Sequence, residues 1–169
     1  MKVEKIETSA DPIQKVPGEG RRRPESVLVV VIDSDNRILL LKRQDLGFWQ
    51  SITGSLKDLE YSAVEAAIRE MAEETAIRID SSHLIDHGVS YCFRIHSALA
   101  WRFADGVTHN TEHLFEVRVK PGQPIEINPD EHVDWQWCDA AQALELAWSW
   151  SNRMAIRHVT RNACSLATT

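Results

Sequence analysis

Glu70, Glu73 and Glu74 follow Arg69 within the stretch Gly54 to Ile77, GSLKDLEYSAVEAAIREMAEETAI. At about 100° per residue, a helix puts Glu70 and Glu74 one turn apart with Glu73 between turns on the same side, so the carboxylates share an arc of roughly 100°. Val64, Ala67, Ile68, Met71 and Thr75 form the opposite stripe, which the pattern assigns to a core. Oxygen ligands gathered on one face suit a hard divalent cation such as magnesium, which keeps waters that a phosphate can replace. The same spacing also describes an ordinary solvated face, with Arg69 and Glu73 as a surface pair worth a few tenths of a kcal/mol. The approach to the helix separates these readings. Phe48-Trp49-Gln50-Ser51-Ile52-Thr53-Gly54-Ser55 runs from a short apolar segment into an expected glycine turn and then the helix.

On these residues the chain resembles the Nudix hydrolase family. That family's signature is a glycine, five residues, a glutamate, seven residues, Arg-Glu, two residues, Glu-Glu, one residue and a glycine. Gly54 and Glu60 meet the opening spacing, and Arg69-Glu70 with Glu73-Glu74 meet the charged core. Eight residues, not seven, separate Glu60 from Arg69, which leaves Tyr61 at the counted position, and Ala76 stands in place of the closing glycine. The resemblance implies an α/β/α sandwich with a mixed sheet between helices. It implies hydrolysis of a diphosphate linked to another group, with Mg2+ as cofactor and Mn2+ as a substitute. Glu70, Glu73 and Glu74 become metal ligands, Glu73 takes part in catalysis and Arg69 orients a carboxylate. Glu112, at the opening of a strand, becomes a further ligand or the general base, with Glu116 as its competitor.

Three segments extend the likeness to a pterin-acting subgroup of that family, enzymes of folate biosynthesis that convert dihydroneopterin triphosphate to dihydroneopterin monophosphate and pyrophosphate. They are the run 48–55, Gly106-Val107-Thr108-His109-Asn110-Thr111-Glu112, and Ser149-Trp150-Ser151-Asn152-Arg153 with Ala155-Ile156. The likeness spans about Arg23 to Ala163. A planar heterocycle needs a flat apolar slot with polar groups at the ring edge. Trp49, Gln50, Ser51 and Gly54 are placed to line it, Trp150 and Asn152 to close it, and His109 and Asn110 to reach phosphate or ring. Arg43, at a strand end near the glycine, is a candidate phosphate contact, with an ordinary exposed strand-end arginine as the alternative. Two other readings stay open: a pyrophosphatase of (deoxy)nucleoside triphosphates or dinucleoside polyphosphates, and a non-catalytic nucleotide-binding sensor of the same fold.

Composition sets the frame. With 169 residues and 43% hydrophobic content the chain suits one domain, residues 23–165, preceded by a loosely packed arm over 1–22 that ends in an arginine run. No window approaches the roughly 18 apolar residues of a membrane span. Three unpatterned cysteines fit a reducing compartment, so a cytoplasmic protein is expected. A net charge of −6 offers no field for nucleic acid. The expected partner is a small phosphate ester, and the sequence leaves monomer and homodimer open.

The elements that must position these residues are legible in part. Ser26–Ile32 and Arg37–Lys42 read as a hairpin around Asp33-Ser34-Asp35-Asn36. Trp49–Thr53 reads as a short strand, and 84–95 as a strand with Val89, Tyr91, Phe93 and Ile95 on one face. Further strands are expected over Ala98–Phe103, Glu112–Val119 and His132–Cys138, with Gly106–Thr111 as a loop. Helices are expected over Ala140–Leu146, capped by Asp139, and through about Asn162 from a cap at Ser151 or Asn152.

Overall fold

The computed structural model describes residues 22–57 and 62–166, so the expected arm, apart from Arg22, and the Glu60–Tyr61 position lie outside the described residues. The element order is β1 (Glu25–Asp33), β2 (Ile38–Arg43), β3 (Trp49–Gln50), β4 (Ile52–Ser55), α1 (Ala63–Thr75), β5 (Leu84–Arg94), β6 (His109–Val119), β7 (His132–Cys138), α2 (Ala140–Leu146) and α3 (Trp150–Leu166).

β1 is the spine. Its run Val27–Ile32 carries no polar side chain, and each of these residues is buried, as a strand covered on both faces requires. Alternation sends Val27, Val29 and Val31 to one core cluster and Leu28, Val30 and Ile32 to the other. Ala66, Ala67 and Met71 of α1 pack into the first cluster, while Ala143 of α2 and Ala155, Ile156 and Val159 of α3 pack into the second. The mixed sheet therefore lies between helical layers, the expected sandwich.

The topology opens a gap at one end of the sheet. β1 pairs in parallel with β6 along its whole length, while on its other edge it meets β2 only at Ile32↔Ile38, beside the hairpin turn. Further along, β1 and β2 part, and the segment 49–55 enters between them. There β3 pairs with β2, and β4 pairs with β1 so that Val27 faces Gly54 and Ser26 faces Ser55. Asp33 sets the hairpin by accepting from the backbone N–H groups of Asp35 and Arg37, both at 2.9 Å, and Asn36 supplies the left-handed residue at φ 59°.

Several expectations are corrected. Residues 97–102 form a 3-10 turn rather than a strand, closed by bonds from Leu99 N to His96 O and Phe103 N to Ala100 O; the alanine-rich Ser-Ala-Leu-Ala lacks the β-branched residues a strand favours. The expected 106–111 loop is shorter, because β6 already begins at His109, opposite Arg94. Gly54 lies within β4 and is absent from the positive-φ residues, so no turn occurs there. α3 begins at Trp150, ahead of both expected caps, and Ser149 Oγ accepts from Asn152 N at 3.1 Å instead. The buried face of α1 also differs from expectation: it includes Ala66, Glu70 and Glu74, whereas Ile68 is half-buried.

Ala76, which stands where the family signature has glycine, caps α1 in the left-handed conformation at φ 58°, ψ 6°, its N–H bonded to Ala72 O. A Cβ is costly there and glycine is not. Ala76→Gly is expected to raise stability by about 0.5–1 kcal/mol, once the extra chain entropy of glycine is subtracted. Denaturant unfolding checks this, and a lower midpoint would contradict it.

Candidate functional site

The gap between β1 and β2 opens onto a cleft of about 1320 Å³. Glu70, Glu73, Glu112 and Glu131 line it, and so do Arg22, Arg43, Lys57, Arg69, Arg94 and Arg102. Phe93, Phe103, Trp148 and Trp150 add aromatic walls. The sheet contributes a register row to its lining: Glu112 on β6 lies beside Ser26 on β1, and Ser26 lies opposite Ser55 on β4.

Arg69 organises the carboxylate end. Its Nη1 donates to Glu70 Oε1 at 2.5 Å and Glu73 Oε2 at 2.8 Å, and its Nη2 donates to Ser55 O at 2.9 Å. Lys57 adds a second cation on Glu73, at 3.1 Å. A Cβ at position 54 would overlap the Glu70 carboxyl, so glycine is required for close approach rather than for a turn. Glu74, one turn on from Glu70, is wholly buried, with His132 Nε2 3.2 Å from its Oε2. The three glutamates share a side of the helix but not a single environment.

The remaining expected residues divide. Asn110 is buried at the cleft, donating to Ser26 Oγ at 2.7 Å, and Gln50 lines it while donating to Thr53 Oγ1 at 3.0 Å. Trp150 is on the wall, edge-on to Tyr91 at 5.8 Å between centroids. Arg43 reaches the cleft, but Asp45 takes two of its donors, at 3.0 and 2.8 Å. Trp49 does not line the cleft. It is the strand neighbour of Gln50, its ring therefore projects to the opposite face, and it packs on the α2–α3 side. His109 fails for the same reason: Asn110 and Glu112 share the inward parity, whereas His109 is exposed beside Thr108. Ser51 is buried off the cleft, where its N–H donates to Asn152 Oδ1 at 2.9 Å and its Oγ accepts from Asn152 Nδ2 at 2.8 Å. That reciprocal pair ties the 49–55 segment to α3, leaving Asn152 at the cleft wall.

Glu131, His132, Trp148 and Arg94 escaped the sequence reading. Trp148 stacks on Phe48 with centroids 4.3 Å apart, and the proximity of Phe48 to the glycine strand was the available signal. Nothing in the spacing of His132 links it to Glu74, because only the fold brings β7 back to the end of α1.

The electrostatics suit a cation. Burial lifts Glu70 to about 7, against the opposing pull of Arg69 and with Glu74 and Glu73 adding to the rise. Burial likewise lifts Glu112 to about 7, opposed by the Ser151 hydroxyl. Glu112 Oε2 and both Glu74 oxygens are buried without a hydrogen-bond partner. Orphaned buried carboxylate oxygens beside a second carboxylate fit a hard divalent ion, which would supply the missing interaction and favour the charged forms. A carboxyl whose folded value rises from the ordinary 4.5 to about 7 contributes stability below the lower value, and loses it as pH rises through the upper one. The metal-free protein is therefore expected to lose stability between about pH 5 and 8, and added divalent ion to raise Tm more at about pH 8 than at about pH 6. Equal gains at both would contradict this account of the site.

Residues 22–159 match the NUDIX domain family model. Over 146 residues, 84% of this chain and 95% of the relative, the sequence is 40% identical to a protein of Escherichia coli (strain K12) named dihydroneopterin triphosphate diphosphatase. It is 38% identical over 139 residues, 79% of this chain and 85% of the relative, to the Haemophilus influenzae protein of the same name. A solved structure described as the E. coli dihydroneopterin triphosphate pyrophosphohydrolase is similar with a TM-score of 0.74 and 41% identity, covering 83% of this chain and 97% of that one. With its helix of glutamates clasped by Arg69 in the expected sandwich, the chain belongs to the Nudix hydrolase family.

Proposed function

We propose that the protein hydrolyses dihydroneopterin triphosphate to dihydroneopterin monophosphate and pyrophosphate, with Mg2+ as its working cation and Mn2+ as a substitute. The observation that carries this reading is the identity of 40% to the E. coli dihydroneopterin triphosphate diphosphatase across 95% of that protein. The cleft supports it, because carboxylates and aromatic side chains both line it.

In the proposed reaction a water oxygen bonds to the α-phosphorus, the bond from that phosphorus to the α–β bridging oxygen breaks, and the bridging oxygen leaves on pyrophosphate. Glu70, Glu73 and Glu74 hold the cation, which when bound screens the phosphate oxygens and steadies the leaving charge. Glu112 Oε2 takes the proton of the attacking water; a carboxyl near 7 is well matched to that exchange at neutral pH. Arg69 touches carboxylates and backbone, so its role is to hold Glu70 and Glu73 in place. Arg22, Arg94 and Arg102, from the wall made by residue 22 and the 93–103 segment, face the cleft where a triphosphate tail needs cations. Trp148 and Trp150 offer flat surface for the heterocycle, and Asn110 and Gln50 offer polar groups to its edge. The free cysteines Cys92 and Cys138 agree with work in the cytoplasm.

Turnover of dihydroneopterin triphosphate beside dATP, dGTP and a diadenosine polyphosphate, with and without Mg2+, tests the reading. A kcat/KM for the pterin at least about a hundredfold above the others, with pyrophosphate released, is expected. Comparable nucleotide rates would discard the pterin assignment, and tight binding without turnover would make the protein a sensor. Glu112→Gln is expected to cut kcat by about 10²–10⁴ with little change in KM. A change in KM alone would make Glu112 a positioning residue.

A further inference from the structure

Between the outer strand β5 and the helix α3 lies a second cavity, of about 240 Å³. Val89 and Tyr91 of β5 line it, together with Met154, Arg157, His158 and Arg161 of α3. Strand parity makes its floor apolar, because Val89 and Tyr91 both turn to the α3 side and pack on that core cluster. Helical spacing makes its wall cationic, since positions 154, 157, 158 and 161 recur at three- and four-residue steps along one face. Arg157 and Arg161 are exposed, one turn apart, and have no carboxylate partner among the described residues. Arg157 Nη1 leans back over Met154, 3.9 Å from its Sδ. His158 is supported from behind: its ring meets that of His87 edge-on with centroids 4.9 Å apart, and His87 Nε2 lies 2.9 Å from Oε2 of the buried Glu116.

We propose that this cavity is a second binding site, for a small phosphate monoester that carries one flat ring. A phosphate monoester bears a charge of about −1.5 to −2 at neutral pH, and guanidinium forks take its oxygens through charge-assisted bonds. Two arginines without acidic partners form a local positive patch on a chain whose net charge is −6. Tyr91, Val89 and Met154 give the ring an apolar surface to lie on. The volume sets the size of the ligand, since it falls below the roughly 300–1,000 Å³ of pockets that take drug-sized molecules. The hydrolytic cleft shares none of these lining residues. The two sites nevertheless adjoin, because the Tyr91 ring lies edge-on to Trp150 of the cleft wall.

Full-length protein in Mg2+, carrying 13C-methyl methionine, provides the test. Met154 lines this cavity and not the cleft, so its methyl resonance reports on this site alone. Phenyl phosphate should move that resonance saturably and leave Met71, sealed in the α1-side core, in place. Arg157→Gln combined with Arg161→Gln should weaken the response by about tenfold or more. Both side chains are exposed and glutamine favours a helix, so the variant keeps its fold. Benzyl alcohol, which lacks the phosphate, and inorganic phosphate, which lacks the ring, should each bind at least about tenfold more weakly than phenyl phosphate. Absence of a saturable shift, an unchanged affinity in the double variant, or equal affinity for either fragment overturns the proposal. The readout involves no turnover, so its result is independent of which substrate the cleft hydrolyses.

Discussion

Arg69 keeps like charges together. Carboxylates crowded on one helix face repel, and the planar guanidinium answers by presenting several donors in a fixed fork. One of its terminal nitrogens serves both Glu70 and Glu73, while the other reaches the carbonyl of Ser55 at the end of β4. The same side chain thereby sets the carboxylates and docks the helix on the sheet. A lysine, a point charge on a flexible stem, could not span these three acceptors in one geometry. Gly54 completes the arrangement, since the Glu70 carboxyl occupies the space a side chain would need.

The sheet extends that local clasp into a site with two origins. Glu70 and Glu73 descend from α1 on one side of β1, whereas Glu112 points to the side covered by α3, beside Leu114 of that core. They share a cleft because β1 and β2 separate past their turn and admit the 49–55 segment. Burial then does two things at once. It gives the carboxyls their near-neutral values, and it removes the water that would otherwise compete for a cation.

Local pattern made much of this visible in the sequence. The apolar runs of β1 and β2, the Asp-Ser-Asp-Asn turn and the Asp139-capped helix α2 are signals carried within a few residues, and each appears in the structure. The Arg-Glu and Glu-Glu pairs were readable by spacing because a helix converts spacing directly into direction. What failed was decided by parity or by distant chain. Trp49 and His109 each sit one residue from a true cleft residue, and one residue in a strand reverses the face. Ser51 looked like a polar contact for ligand because its partner, Asn152, comes from another element. His132 carried no local signal at all.

The mutual bonds between Ser51 and Asn152 close a loop of 101 residues. Such closures come at an entropic cost that grows with length, and contacts of this separation form late when a chain folds. During synthesis from the N-terminus, α1 and its glutamates emerge well before β6 and α3 do. A nascent chain can thus hold the charged helix while it still lacks Glu112 and the wall at Asn152. Completion of the cleft coincides with arrival of the last helix, so the order of synthesis itself delays any hydrolysis until the whole fold is in place.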